Sequence, residues 1–91
     1  MDQVKIGKFI AECRKKKKLT QAKIAEKLNI TDRAVSKWER GNGMPDSSIM
    51  LELCNELGIS VNELLSGEVI KMEDYNKKAE ENLLKMKKQT I

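Results

Sequence analysis

The chain has 91 residues, 18 of them Lys or Arg and 14 Asp or Glu, for a formal charge of +4, and no histidine. Without histidine it lacks the commonest general base, the common zinc ligand and any Ser-His-Asp arrangement; its three aromatics, Phe9, Trp38 and Tyr75, are too few to stack a run of single-stranded bases. No apolar run approaches the ~20 residues of a membrane span, and no apolar signal segment follows Met1 and Asp2, so the expectation is a cytoplasmic protein without membrane, cofactor, metal, small-molecule ligand or enzymatic activity.

In chain order, Ile6, Phe9, Ile10 and Cys13 recur at steps of three and four and predict an amphipathic helix over about Gln3 to Lys17. It ends in Arg14 and the run Lys15 to Lys18, whose charge complements the negative end of a helix dipole. Thr20 reads as the N-cap of a helix over Gln21 to Leu28, with Ile24, Ala25 and Leu28 on one side. Lys23 stands where a reciprocal capping box needs Glu or Gln. After Asn29 and Ile30, Thr31 caps a third helix that runs through Ala34, Val35 and Trp38 to Arg40 and stops at Gly41. Gly41 to Pro45 read as a loop, and Asp46 or Ser47 caps a fourth helix bearing Ile49, Leu53, Cys54 and Leu57. Ser60 and Glu63 form a capping box for a short fifth helix with Val61, Leu64 and Leu65, closed by Gly67.

Residues 69–91 hold no Gly or Pro. Met72, Tyr75, Ala79, Leu83 and Met86 are spaced 3, 4, 4 and 3 apart and predict a sixth helix with a narrow apolar stripe. So polar a helix is marginal alone. It either pairs with its copy or folds back on the fifth helix near Val61 and Leu65. The expected organisation is therefore residues 1–67 as one all-α domain and 68–91 as a polar amphipathic helix, a candidate dimerisation element. Cys13 and Cys54, 41 residues apart and outside any C-x-x-C spacing, read as small buried side chains on helix faces.

Charge is unevenly spread. Residues 1–40 hold 12 basic and 5 acidic side chains, residues 41–91 hold 6 and 9. A basic N-terminal part points to a polyanion as partner. The second and third helices, joined by a turn of a few residues, have the geometry that lays one helix in a DNA major groove while the other crosses the backbone. With Val35 and Trp38 facing inward, Asp32, Arg33, Ser36 and Lys37 take the outer face. Arg and Lys can donate to guanine O6 and N7, Ser can donate or accept, and Asp can accept from cytosine N4 or orient Arg33.

The ordered set Leu19-Thr20-Gln21, Ile24-Ala25, Leu28, Ile30 and Ala34-Val35-Ser36-Lys37-Trp38-Glu39-Arg40-Gly41 resembles the phage Cro and cI repressor type of helix-turn-helix, also called xenobiotic-response-element-like. Pro45 and Leu57-Gly58-Ile59-Ser60-Val61 through Leu64-Leu65 extend the resemblance over residues 6–66. It implies a five-helix, lambda-repressor-like domain that binds a double-stranded DNA operator as a two-fold homodimer. Residue by residue, it implies that Gln21 holds a phosphate with its side chain and helix N-terminus. It places Thr31 beside the DNA at the start of the recognition helix and Asn42 on the backbone. Lys8 and the Lys15 to Lys18 run are candidates for further phosphate contacts, the alternative being a run of charges that is simply solvated. Arg14 and Glu39 fall at the positions of a partly buried ion pair. The expected function is a sequence-specific transcriptional regulator, most simply a repressor. The alternative is a protein-interaction module such as an antitoxin, whose tail binds a partner protein.

Overall fold

The first helix starts at Asp2, whose extended backbone leaves Oδ1 free to accept from the backbone N–H groups of Val4 (3.0 Å) and Lys5 (3.1 Å). The computed structural model describes residues 1–70 and Asn82. Among these residues every regular element is helical: α1 (Gln3–Lys16), α2 (Gln21–Leu28), α3 (Asp32–Glu39), α4 (Ser47–Leu57) and α5 (Val61–Ser66). The expected sixth helix and its stripe of Met72, Tyr75, Ala79, Leu83 and Met86 lie outside the described residues.

Side-chain caps open every helix. Thr20 accepts from Lys23 N–H at 3.0 Å, Thr31 from Ala34 N–H at 3.3 Å, and Asp46, rather than Ser47, from Ser48 and Ile49. At α5 the box is reciprocal: Ser60 Oγ accepts from Glu63 N–H, and Glu63 Oε1 accepts from Ser60 N–H. The ends are equally uniform. Each helix closes on a residue in the left-handed region, namely Lys18, Asn29, Gly41, Gly58 and Gly67. In each, the following N–H reaches back to the last turn: Leu19 to Arg14 O, Ile30 to Ala25 O, Asn42 to Lys37 O, Ile59 to Cys54 O and Glu68 to Glu63 O.

Lys18 is the misfit among these five. At φ 58° its Cβ crowds the following carbonyl, whereas asparagine and glycine tolerate that backbone. Lys18→Gly is expected to stabilise the chain by about 0.5–1 kcal/mol, relief of strain outweighing the added freedom of the unfolded state. Thermal melting of the two proteins measures this. An unchanged or lower midpoint would show that the Lys18 side chain contributes more than its backbone costs.

The helices meet around α1, which packs against α3, α4 and α5, while α2 packs against α3 and α4. The core is aliphatic, as the composition required: Ile6, Ile10, Ile24, Val35, Leu53 and Leu64 are sealed from solvent, with Phe9 and Trp38 beside them. Cys13 and Cys54 are both buried free thiols. Burial pushes the Cys54 thiol up to about 11, with Glu63 and Cys13 adding to the rise, so it is un-ionised at neutral pH. Gly7 sets how closely α1 approaches α3. A Cβ there would run into the Trp38 carbonyl oxygen and stand 2.9 Å from that of Glu39. Gly41, at φ 76°, is pressed in the same way against Val4, with the Val4 Cα 2.9 Å from where a Cβ would be. The end of α3 is thus seated directly on the backbone of α1.

Candidate nucleic-acid interface

The turn between α2 and α3 is three residues long: Asn29 in the left-handed region, Ile30 half-buried against the core, and Thr31 as the next N-cap. Ala25 is buried, and α2 packs against α3. Val35 and Trp38 anchor α3 from below. Helical periodicity then leaves one outward face, on which Asp32, Arg33 and Lys37 are exposed and Ser36 is half-buried.

The rim of this face is held by hydrogen bonds. Thr31 Oγ1 accepts from Ala34 N–H, which leaves its own O–H free to donate outward. Asn42 is exposed, but its N–H donates to Lys37 O at 3.0 Å, so its position is fixed relative to the last turn of α3. The stem of Lys37 runs along Gly43, where a Cβ would stand 3.2 Å from Cε. That contact restrains a side chain otherwise free in solvent.

Beneath the face lies a charged clamp. Arg14 Nε donates to Glu39 Oε2 at 2.7 Å, Nη2 to Glu39 Oε1 at 2.9 Å, and Nη1 to the Leu19 carbonyl at 2.8 Å. The hydrogen bonds to Glu39 push the Arg14 pKa further up, so the guanidinium stays charged throughout the working range. Gln21 completes the clamp: its Nε2 donates to Glu39 Oε1 at 3.0 Å. The Glu39 carboxylate thus ties α1 and the start of α2 to the end of α3, and Arg14 adds the α1–α2 turn through the Leu19 carbonyl. The charge of Glu39 is balanced by that of Arg14 inside the clamp.

The sequence-predicted residues therefore divide into groups. Thr31, Asp32, Arg33, Ser36, Lys37 and Asn42 share α3 and its two ends. Gln21 is joined to them through Glu39. Lys8 is exposed on α1, a separate element. Lys17, from the basic run, lies over the end of α4: a Cβ on Gly58 would be 3.1 Å from its Nζ. Its charge there faces the negative pole of α4 rather than α3. The Gln21–Glu39 bond was not visible in the sequence, since eighteen residues separate the two and no periodicity links them.

Two short helices, a three-residue turn and a polar outer face on the second helix define a helix-turn-helix. A helix-turn-helix family model matches residues 10–64, and the chain belongs to that family, in its Cro/cI-type form. Over 59 residues the chain is 42% identical to YqaE, an uncharacterized HTH-type transcriptional regulator of Bacillus subtilis, a match covering 65% of this chain and 51% of that protein. Over 83 residues it is 32% identical to the immunity repressor protein of Bacillus phage phi105, covering 88% of this chain and 58% of that one. The solved structure of the restriction-modification controller protein C.AhdI from Aeromonas hydrophila superimposes with a TM-score of 0.64 at 32% identity, over 69% of this chain and 96% of that one. The chain spans a little over half the length of those two curated relatives. Among the described residues no helix is long and apolar enough to cross a membrane.

Proposed function

We propose that the protein is a cytoplasmic, sequence-specific repressor that places α3 in the major groove of a two-fold operator, two copies binding one site. The observation that carries this reading is the sidedness of α3: Val35 and Trp38 are buried while Asp32, Arg33 and Lys37 are exposed on the opposite face, with half-buried Ser36 beside them. In this reading residues 1–67 are the DNA-binding domain and 68–91 an appended element. Arg33 and Lys37 donate to base edges, Ser36 adds a donor or acceptor, and Asp32 accepts from cytosine or orients Arg33. Thr31, through its free O–H, and Asn42, pinned to α3, hold phosphates on either side of the groove. Gln21 holds a phosphate with the second N–H of its amide and the N-terminus of α2, while the first stays on Glu39. Lys8 and the exposed lysines of the basic run add charge.

Two copies are invoked because α3 is eight residues long, and its few base contacts fall short of the usual specificity. Two such helices read half-sites about 34 Å apart, one turn of DNA. Selection of bound duplexes from a random pool tests this reading. The expected result is an inverted repeat with half-sites at that spacing; a pool that never enriches would overturn it. Arg33→Ala is then expected to cost about 1–3 kcal/mol per half-site and to relax the preference at one base pair. Gln21→Ala is expected to weaken all sequences about equally, because phosphates carry no base identity. An unchanged base preference after Arg33→Ala would remove Arg33 from the reading face.

A further inference from the structure

Asn82 is a buried polar residue, 2% exposed. Its amide Nδ2 donates to the Asn62 carbonyl at 3.2 Å and to Ser66 Oγ at 3.0 Å, both on α5. A second contact holds the chain on the same helix as it leaves: Ile70 N–H donates to Glu63 Oε2 at 3.1 Å, while the other oxygen of that carboxylate serves the capping box. Ile70 and Asn82 therefore both bond to α5.

We infer that α5 is a docking surface for the chain's own C-terminal segment, seated in register by Asn82. Both N–H groups of the amide have acceptors that differ in kind, a helix carbonyl and a hydroxyl one turn further on, and this fixes position along α5. In the sequence Asn82 stands between Ala79 and Leu83, three and one residues away, and so interrupts the apolar stripe. A lone asparagine in an apolar seam fixes register at some cost in stability, because every slipped alignment strands its amide without partners. The occupant is the same chain rather than a second copy because the tether is short. Eleven residues lie between the two anchors, and so brief a connection presents the segment at an effective concentration in the millimolar range. This inference is independent of DNA binding.

The experiment uses the full-length chain, isotopically labelled, without DNA. Exchange of the α5 amides and of the Asn82 side-chain amide is followed by nuclear magnetic resonance across a dilution series. The expected result is protection of the Asn82 amide that does not change on dilution, with contacts between Asn82 and Asn62 or Ser66 arising within one chain in a mixture of labelled and unlabelled protein. Asn82→Asp keeps the size but loses both donors. It is expected to speed exchange in the last turn of α5 by roughly two- to tenfold, the equivalent of one net hydrogen bond. The amides of Ile6 and Ile10 in α1 should be unaffected. Contacts that appear only between differently labelled chains, or protection that fades on dilution, would overturn docking in cis. Unchanged α5 exchange in Asn82→Asp would overturn the role of Asn82.

Discussion

Arg14→Ala is expected to destabilise the fold by about 3–5 kcal/mol, the cost of leaving a buried carboxylate unpaired. The side chains of Arg14 and Glu39 are only 12% and 7% exposed, so water cannot replace the lost partner. Three hydrogen bonds go with the guanidinium, including the one that satisfies the Leu19 carbonyl between α1 and α2. Against a total of roughly 5–10 kcal/mol for so small a domain, that removes about a third or more of the stability. Arg14→Lys retains the charge but cannot reproduce the planar fork, and is expected to fall between the two. Replacing Arg14 and Glu39 together by methionine should cost much less than Arg14→Ala, since no charge is then stranded, although Gln21 loses its acceptor. Urea unfolding followed by Trp38 fluorescence measures all four proteins. A loss below ~1 kcal/mol in Arg14→Ala would place the pair with ordinary surface ion pairs.

The second large effect is on the proposed DNA complex. A dimer making roughly 6–10 phosphate contacts should lose about three to five decades of affinity between ~50 and ~200 mM salt. The contacts that release counterions come from Lys8 and the exposed lysines of the basic run in each copy, with the charge of Arg33 and Lys37 adding to the same field, while the uncharged Gln21, Thr31 and Asn42 position phosphates without adding to the slope. Lys17 is expected to contribute little, because it leans over the end of α4. Fluorescence anisotropy with the selected operator, repeated over a salt series, gives the slope directly. Lys8→Ala should lower that slope without changing the preferred sequence, and a flat response would remove the electrostatic footprint altogether. The Arg14→Ala and salt experiments fail separately: the first reads the clamp whether or not DNA is bound, the second reads the surface above it.

Much of the architecture was legible because it is written in short-range rules. Thr20, Thr31 and the Ser60–Glu63 box mark helix starts by chemistry that acts over three residues. The three- and four-residue recurrence of Ile6, Phe9, Ile10 and Cys13 assigned the buried side of α1 before any packing was known. The outer face of α3 followed by subtraction once Val35 and Trp38 were taken inward. What was missed depends on long-range geometry. Nothing local distinguishes Lys18 from its three lysine neighbours, yet it alone turns into the left-handed region, because Leu19 must come back to bond Arg14 O and lead into α2. Gly7 reads as one weak residue in a helix until the carbonyl oxygens of Trp38 and Glu39 are found against it.

The sequence by itself determined the helical class, the order and approximate bounds of the five described helices, and the face of α3 that stays outside the core. Caps and hydrophobic periodicity act within a turn or two of helix and require no knowledge of the rest of the chain. Only the tertiary structure decided that Gln21 bonds Glu39, that Lys17 belongs to the end of α4, that Gly7 seats α3 on α1, and that Asn82 returns to α5. Each of these joins residues distant in sequence whose chemistry would suit several partners. The choice among those partners is made by the packing of the whole core, which brings one acceptor within hydrogen-bonding reach and carries the others away.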